Sequence, residues 1–452
     1  MLSSFINRSQ LVTRWMLAII ISLSLIIKIN LSRDQYLHEW DERYHALVAK
    51  NMLADPLKPT LVAQPIHEYD YKDWTLNHIW LSKPPIPLWW VALSLKCFGL
   101  NEWAVRLPGI LFAQAIVLLA FAIGRSLHSH RMGLAMALLM GIHGILNDLC
   151  SGRLSSDAVE TCFLFFVFLG CYVVIGFADW FMKWKGFIVV GFITGIALLC
   201  KWQPALILLV FMFLYHLPQR NIRKYLVKST VSLLIALGLV GIWVYFCVLN
   251  YPIEMQWMLK SMFTPFVDAT RNPEGQWYSY LKDFGLFFGY GSFVLLLWFI
   301  WRAFVHRSMR DFALWMWMVL PLFIFSMAEV KRGTYLFISA PPLFYLICYA
   351  WLNRDQLQPR WTRFLQLSAL VSMIMMVGYS IEKLYLFRER KLTKDWSERI
   401  KNADPRPGTV IYNEPRYIEM MFYHDVTAYP FTKDDVPLFS NPHSAVLHGI
   451  AH

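Results

Sequence analysis

The sequence predicts an all-α polytopic membrane protein with about 11 transmembrane helices, interfacial helices in its first outer loop and a small extracytoplasmic α/β cap at the C-terminus. Three observations carry that expectation. Of 452 residues, 57% are apolar and 16% aromatic while only 16% are charged, a balance too apolar for a soluble globular chain of this length. The apolar residues gather in runs long enough to cross a bilayer. The basic residues, which give a formal charge of +12, fall in short clusters between those runs, where they orient spans and meet anionic headgroups, so nucleic acid is not an expected partner.

At the start of the chain, Arg8 and Arg14 flank an apolar run from Trp15 to Leu31. No small-residue cleavage site follows it and it is long for a signal peptide, so it reads as an uncleaved first span. Spans are expected near 12–31, 106–127, 132–150, 157–178, 187–200, 204–217, 229–249, 281–301, 311–328, 334–352 and 364–387. The two that meet near 200–204 are short, which leaves room for a re-entrant hairpin. With the N-terminus in the cytoplasm, Arg125, Arg131, Lys183, Lys185, Arg223, Lys224, Arg302, Arg307, Arg354 and Arg360 all fall in cytoplasmic connections.

The same orientation sends to the far side the 32–105 loop, the 152–157 turn, the 250–280 loop, the turns at Lys201 and Lys331 and the tail from about 388. Within the first loop, Tyr44–Leu53 and Ile86–Phe98 are too short to span and read as interfacial helices, where Trp89, Trp90 and Trp103 suit the headgroup layer. The chain therefore divides into a membrane domain, 1–387, and an α/β domain, 388–452. In the latter, 409–413 reads as a strand, 414–424 as a helix from Pro415, and 426–430 as a second strand. It carries no glycine-rich phosphate loop and no nucleophile constellation, so its expected role is to cover or position. Cys97, Cys150, Cys162, Cys171, Cys200, Cys247 and Cys348 lie in or beside apolar runs without CxxC spacing and read as small core residues.

The candidate chemistry gathers on the outer face. Asp41 and Glu42 follow the first span. Lys83 sits before Pro84-Pro85, Arg153 and Asp157 bracket the next outer turn, and Lys331, Arg332 and Tyr335 interrupt a later apolar stretch, with Lys201 at another span end. Each has an ordinary reading as a snorkelling cation, a helix cap or a solvated turn. Together they supply carboxylates for proton abstraction or metal binding and several cations suited to a phosphate at the acyl-chain boundary. His38, His45, His67 and His78 match no metal-ligand spacing and read as surface or interfacial residues.

These stretches carry a resemblance. Trp40-Asp41-Glu42-Arg43-Tyr44-His45-Ala46, Lys83-Pro84-Pro85 with Leu88-Trp89, Phe98-Gly99 with Val105-Arg106-Leu107-Pro108, Arg153 with Ser156-Asp157, and 326–336 around Lys331 and Tyr335 are similar, in order and spacing, to the polytopic glycosyltransferases that include the lipid A aminoarabinose transferases and the protein O-mannosyltransferases. The resemblance implies an inverting transferase at the outer face of a bacterial inner membrane. It would move a sugar from a polyprenyl-phosphate donor to a lipid, glycan or protein hydroxyl acceptor. It also implies roles: Asp41 at the reaction centre with Asp157 as a second acidic group, and Lys83 and Tyr335 on the carrier phosphate. Arg153, Lys201, Lys331 and Arg332 are further candidates for that phosphate, and Glu42, though adjacent to Asp41, points elsewhere if the segment is helical. The aminoarabinose transferases carry an acidic residue before the lysine where this chain has Ser82, which tells against a metal site built on that position, while a divalent metal held elsewhere stays open. A lipid-linked oligosaccharide flippase or a surface-polysaccharide polymerase is the alternative reading.

Overall fold

The chain is described by a computed structural model that covers residues 2–154, 158–217, 221–262, 278–327, 332–353, 357, 359–388 and 390–434. In chain order the helices are α1 Leu2–Leu31, α2 Asp41–Asn51, α3 Pro85–Phe98, α4 Glu102–Leu127, α5 His130–Ile142, α6 Gly144–Cys150, α7 Ala158–Gly176, α8 Ala178–Met182, α9 Lys185–Leu198, α10 Ile207–His216, α11 Ile222–Asn250 and α12 Pro252–Ser261. They continue with α13 Ser279–Phe288, α14 Gly291–Val305, α15 Met309–Ser326, α16 Ala340–Leu352, α17 Pro359–Arg388, α18 Asp395–Lys401 and α19 Tyr417–Tyr423.

Among the described residues, seven helices are long and apolar enough to cross a membrane, and nine if two bent pairs each count as one span. Three further segments, α3, α9 and Gln203–His216, are apolar but shorter, so the long spans among the described residues are fewer than the expected eleven. The bends have local causes. α5 and α6 meet at 55° at His143, whose imidazole donates to the Phe287 carbonyl (3.0 Å) inside a box of Phe288, Phe337, Phe344 and Tyr379. α13 and α14 meet at 98° through Gly289, which has φ +78° and lies where a Cβ would come within 2.4 Å of the Ser372 backbone. Lys28, buried within α1, donates to Ser24 Oγ (2.5 Å) and to the Gly141 carbonyl (3.4 Å) at the end of α5, so a cation meets the negative end of a half-helix.

The outer part is a second core. Leu37, Tyr44, Leu47 and Val48 of the first loop pack with Ile400, Ile418, Met421 and Phe422 of the tail. The tail folds much as its sequence suggests: Val410–Ile411 and Thr427–Ala428 pair in parallel around α19. Lys50 fastens it by donating to the carbonyls of Met421 (2.5 Å) and His424 (2.8 Å) at the end of α19, and Arg43 pairs with Glu419 at 3.5 Å. This corrects one expectation. α2 does not lie on the bilayer as an interfacial helix, because protein covers it and Tyr44, His45, Leu47 and Val48 are buried. α3 keeps an apolar outer face, with Trp90, Leu93 and Phe98 exposed.

Candidate active site

Asp41 opens α2. Trp40 before it takes φ +70°, a left-handed conformation that a bulky side chain rarely adopts and that turns the chain sharply into the helix. The Asp41 carboxylate is buried, with Lys83 Nζ at 3.4 Å and Arg332 Nη1 at 3.7 Å from Oδ2. Lys83 is held there by its neighbours: Pro84 is extended, Pro85 starts α3 at the position where a missing N–H costs nothing, and Ile86 N donates to the Leu199 carbonyl at 3.3 Å. Arg332 is clamped through its backbone, its N–H donating to Tyr280 Oη at 2.8 Å and its carbonyl accepting from the same hydroxyl at 3.2 Å. Tyr335 follows in the short 3₁₀ turn Gly333–Ser339, and Lys201 Nζ lies 3.8 Å over its ring while pairing with Glu160.

The electrostatics keep both members of the central pair charged. Burial pushes the Asp41 carboxyl up, but Lys83, His45 and Arg332 outweigh it and hold the group below its ordinary value. Burial pulls Lys83 down, yet Asp41 and the Tyr335 hydroxyl raise it above the usual lysine value despite Arg332.

A cavity of about 740 Å³ adjoins this cluster. Its lining joins Lys83, Lys201 and Tyr335 with Ile207, Val210, Leu320 and Ile324 of α10 and α15 and with Tyr71, Trp74, Asn77 and Trp257 of the outer connections.

Glu42 faces away from this cavity. Its carboxylate accepts from Arg106 Nε (2.7 Å) and Nη2 (3.1 Å) and from the His38 backbone N–H (2.5 Å), and it bonds His38 Nδ1 at 2.7 Å. Arg106 also donates to the carbonyls of Ser32, Asp34 and Tyr36. The buried pair thus ties α4 to the turn that joins α1 to α2. Burial raises the Glu42 carboxyl, but Arg106 and His38 reverse this and bring it down to about 2. Gly152, with φ +71°, closes over the same carboxylate, and a Cβ there would lie 2.2 Å from Oε1.

Arg153, expected beside the donor phosphate, is placed elsewhere. It lies 3.7 Å from both Asp34 and Asp148 and lines a second cavity of about 590 Å³ with Trp40, Arg390, Lys391 and Lys394. The structure therefore gathers Asp41, Lys83, Lys201, Arg332 and Tyr335, and separates Glu42 and Arg153 from them. Asp157 and Lys331 lie outside the described residues. The histidines of the first loop are dispersed and more enclosed than expected: His38 and His45 are buried, and His67 bonds Tyr412 Oη at 2.7 Å. Among the described residues, no group of three His, Cys, Asp or Glu side chains is arranged to hold a metal.

Sequence reasoning gave no role to Arg106, Glu160 or Tyr280. Glu160 had a signal, an acidic residue within an apolar span. Arg106 at the start of a span looks like any flanking cation.

Known proteins resemble this chain in sequence and in fold. The family described as dolichyl-phosphate-mannose-protein mannosyltransferase matches residues 82–246. An uncharacterized protein of Aquifex aeolicus is 25% identical over 325 residues, 70% of this chain and 60% of the relative. The undecaprenyl phosphate-alpha-4-amino-4-deoxy-L-arabinose arabinosyl transferase of Pseudomonas aeruginosa is 25% identical over 304 residues, 63% of this chain and 53% of that protein. The matched part thus spans little more than half the length of these curated relatives. In fold, the chain is similar to ArnT from Cupriavidus metallidurans bound to undecaprenyl phosphate (TM-score 0.59, 16% identity, 92% of this chain and 86% of that one). It is also similar to the oligosaccharyltransferase of Archaeoglobus fulgidus (TM-score 0.58, 13% identity, 93% and 65%).

Proposed function

We propose that this chain, which falls by fold and family match in the superfamily of polytopic glycosyltransferases that holds the protein O-mannosyltransferases and the lipid A aminoarabinose transferases, transfers a sugar from a polyprenyl-phosphate donor to a lipid, glycan or protein acceptor at the periplasmic face of the bacterial inner membrane. One observation carries the reading. Lys83 and Lys201 line one cavity together with apolar residues of the spans α10 and α15, and a buried carboxylate, Asp41, pairs with Lys83.

In this reading the prenyl chain lies along Ile207, Val210 and Ile324, and its phosphate is met by Lys83 and Lys201, with Tyr335 donating and Arg332 adding charge. The bond from the anomeric carbon to the phosphate oxygen breaks as the acceptor oxygen attacks from the opposite face, which inverts the centre. The electron pair leaves on the phosphate, where the cations stabilise it. Asp41 takes the proton of an acceptor hydroxyl. If the acceptor is itself a phosphate, little base is needed and Asp41 orients it or holds Lys83.

The bends at His143 and Gly289 are the features a transporter would use. Both are filled by packed side chains or backbone, and the ion pairs of the candidate site gather at one end of the spans. Radiolabelled polyprenyl-phosphate monosaccharide supplied to membranes separates the readings: single-sugar products support transfer, block products a polymerase, and relocation of intact donor a flippase.

The depressed carboxyl of Asp41 sets the pH dependence. A group held below its ordinary value of 3.8 stays ionised as pH falls to that value and below. The acidic limb of kcat/KM assigned to Asp41 should therefore lie below about pH 4, and an Asp41-dependent limb near pH 6 would contradict the geometry.

A further inference from the structure

The second cavity has a charge pattern that membrane orientation does not explain. At the end of α17 and just beyond it, Arg388, Arg390, Lys391 and Lys394 stand against a single acidic residue, Glu389, over residues 388–394. Basic clusters at span ends belong on the cytoplasmic side, where they fix topology, yet this one follows the last long span onto the outer face. A cluster kept on that side has another role.

The fold brings three of these cations to one place. Arg390, Lys391 and Lys394 line the cavity of about 590 Å³ together with Arg153 of the outer turn and with Glu39 and Trp40 of the turn between α1 and α2. Glu39, the acidic residue on that lining, is engaged by Arg416 at 2.8 Å. Lys394 Nζ lies 4.5 Å over the Tyr36 ring, and the Arg153 side chain is 4% exposed. Burial holds the Arg153 guanidinium below its ordinary value and Arg390 adds to this, although Asp34 and Asp148, each 3.7 Å away, oppose it. Arg106, equally buried, is raised above its ordinary value by Glu42. The second cavity is thus short of negative charge, and an anion entering it meets four cations.

The surroundings favour the phosphate of a lipid over a free one. The last turns of α17, which lead up to Arg390, expose Ile381, Leu384, Tyr385 and Leu386, a strip along which acyl chains can lie. Trp40, on the cavity lining, is 58% exposed and is a residue type that settles at headgroup level.

We propose that this cavity binds the phosphate of an anionic glycerophospholipid of the outer leaflet, such as phosphatidylglycerol, through Arg153, Arg390, Lys391 and Lys394. The assignment rests on the outer-face orientation of the reading above and uses none of the donor contacts. It also links the lipid to the candidate active site. Trp40 lines this cavity in its left-handed conformation, while Asp41, next in the chain, pairs with Lys83, so a bound lipid braces the turn that carries Asp41.

The test measures affinity of the purified full-length protein in detergent for phosphatidylglycerol, phosphatidylcholine, inorganic phosphate and undecaprenyl phosphate. It compares wild type with the cavity variant Arg390→Gln/Lys391→Gln/Lys394→Gln and with Lys58→Gln/Arg406→Gln/Lys433→Gln, which removes three exposed cations outside the cavity lining. Wild type should prefer phosphatidylglycerol to phosphatidylcholine about tenfold or more, and the preference should shrink as salt rises. The cavity variant should bind phosphatidylglycerol roughly tenfold or more weakly, since each cation at a lipid surface contributes about fivefold, while the other variant stays at wild type. A wild type without the preference overturns the assignment. So does a cavity variant that keeps it, and so does an equal loss in both variants, which would mean diffuse surface charge. Displacement of the lipid by inorganic phosphate below about 1 mM gives the cavity to a free anion and overturns the lipid assignment. Undecaprenyl phosphate should bind the cavity variant as it binds wild type. Its loss there would put the carrier in this cavity and overturn the donor reading as well, whereas failure of the phosphatidylglycerol arms with carrier binding intact overturns this assignment alone.

Discussion

Asp41→Asn should lower sugar transfer by roughly 10² to 10⁴, and Lys83→Ala should take it below detection, each with folded protein still present in the membrane. The amide keeps the shape of the carboxylate and its place at the start of α2 but cannot accept a proton or balance Lys83. Removing Lys83 takes away the cation closest to Asp41 among the described residues and one of the lysines that line the cavity. Loss of a single preorganised charge-stabilising group costs on the order of 10² to 10³ in rate, and here the loss also leaves Asp41 with the more distant Arg332, at 3.7 Å, and with His45 among the described residues. Both variants should fold because the side chains of Lys83 and Arg332 are 24% and 31% exposed and water can reach what the mutation uncovers. Near-normal transfer by both variants, measured with radiolabelled donor at matched protein levels, would remove the site from this part of the molecule.

Arg106→Ala should have the largest effect on stability. Arg106 and Glu42 are each about 1% exposed in their side chains, and the guanidinium also satisfies three carbonyls of the turn between α1 and α2. Removing one partner of a buried ion pair leaves an uncompensated charge and costs about 3–5 kcal/mol. Thermal unfolding in detergent should show it, and Glu42→Gln should have a smaller effect because the amide retains part of the hydrogen bonding. The sign of the pH dependence follows from the depressed Glu42 carboxyl. Its contribution is complete above the ordinary value of 4.5 and is lost as pH falls toward about 2, so wild type should lose stability across that window and Glu42→Gln should lose less. An Arg106→Ala protein with a wild-type unfolding temperature would contradict the bracing role.

The elements with a one-dimensional signal were legible in the sequence. Long apolar runs mark α4, α11 and α17 directly, and the tail strands around α19 follow from alternating residues bounded by turn signals. Asp41 and Lys83 could be linked because they close the two ends of one loop and carry the spacing of a known motif. The Glu42–Arg106 pair was not legible: its members are 64 residues apart, and an arginine at the start of a span usually reaches for headgroups. α2 was misplaced for a related reason. An amphipathic helix bound for a bilayer and one bound for a covering α19 present the same pattern of apolar residues. The separation of Arg153 from Lys83 depends on which of two neighbouring cavities an outer turn faces, and charge type does not encode that.

A structure of the protein with undecaprenyl phosphate bound tests the central claim most directly. The account expects the phosphate within hydrogen-bond reach of Lys83 Nζ, with the prenyl chain descending between α10 and α15 beside Ile207, Val210 and Ile324. A phosphate seated instead among Arg153, Arg390 and Lys394, with no lipid beside Lys83, would contradict it.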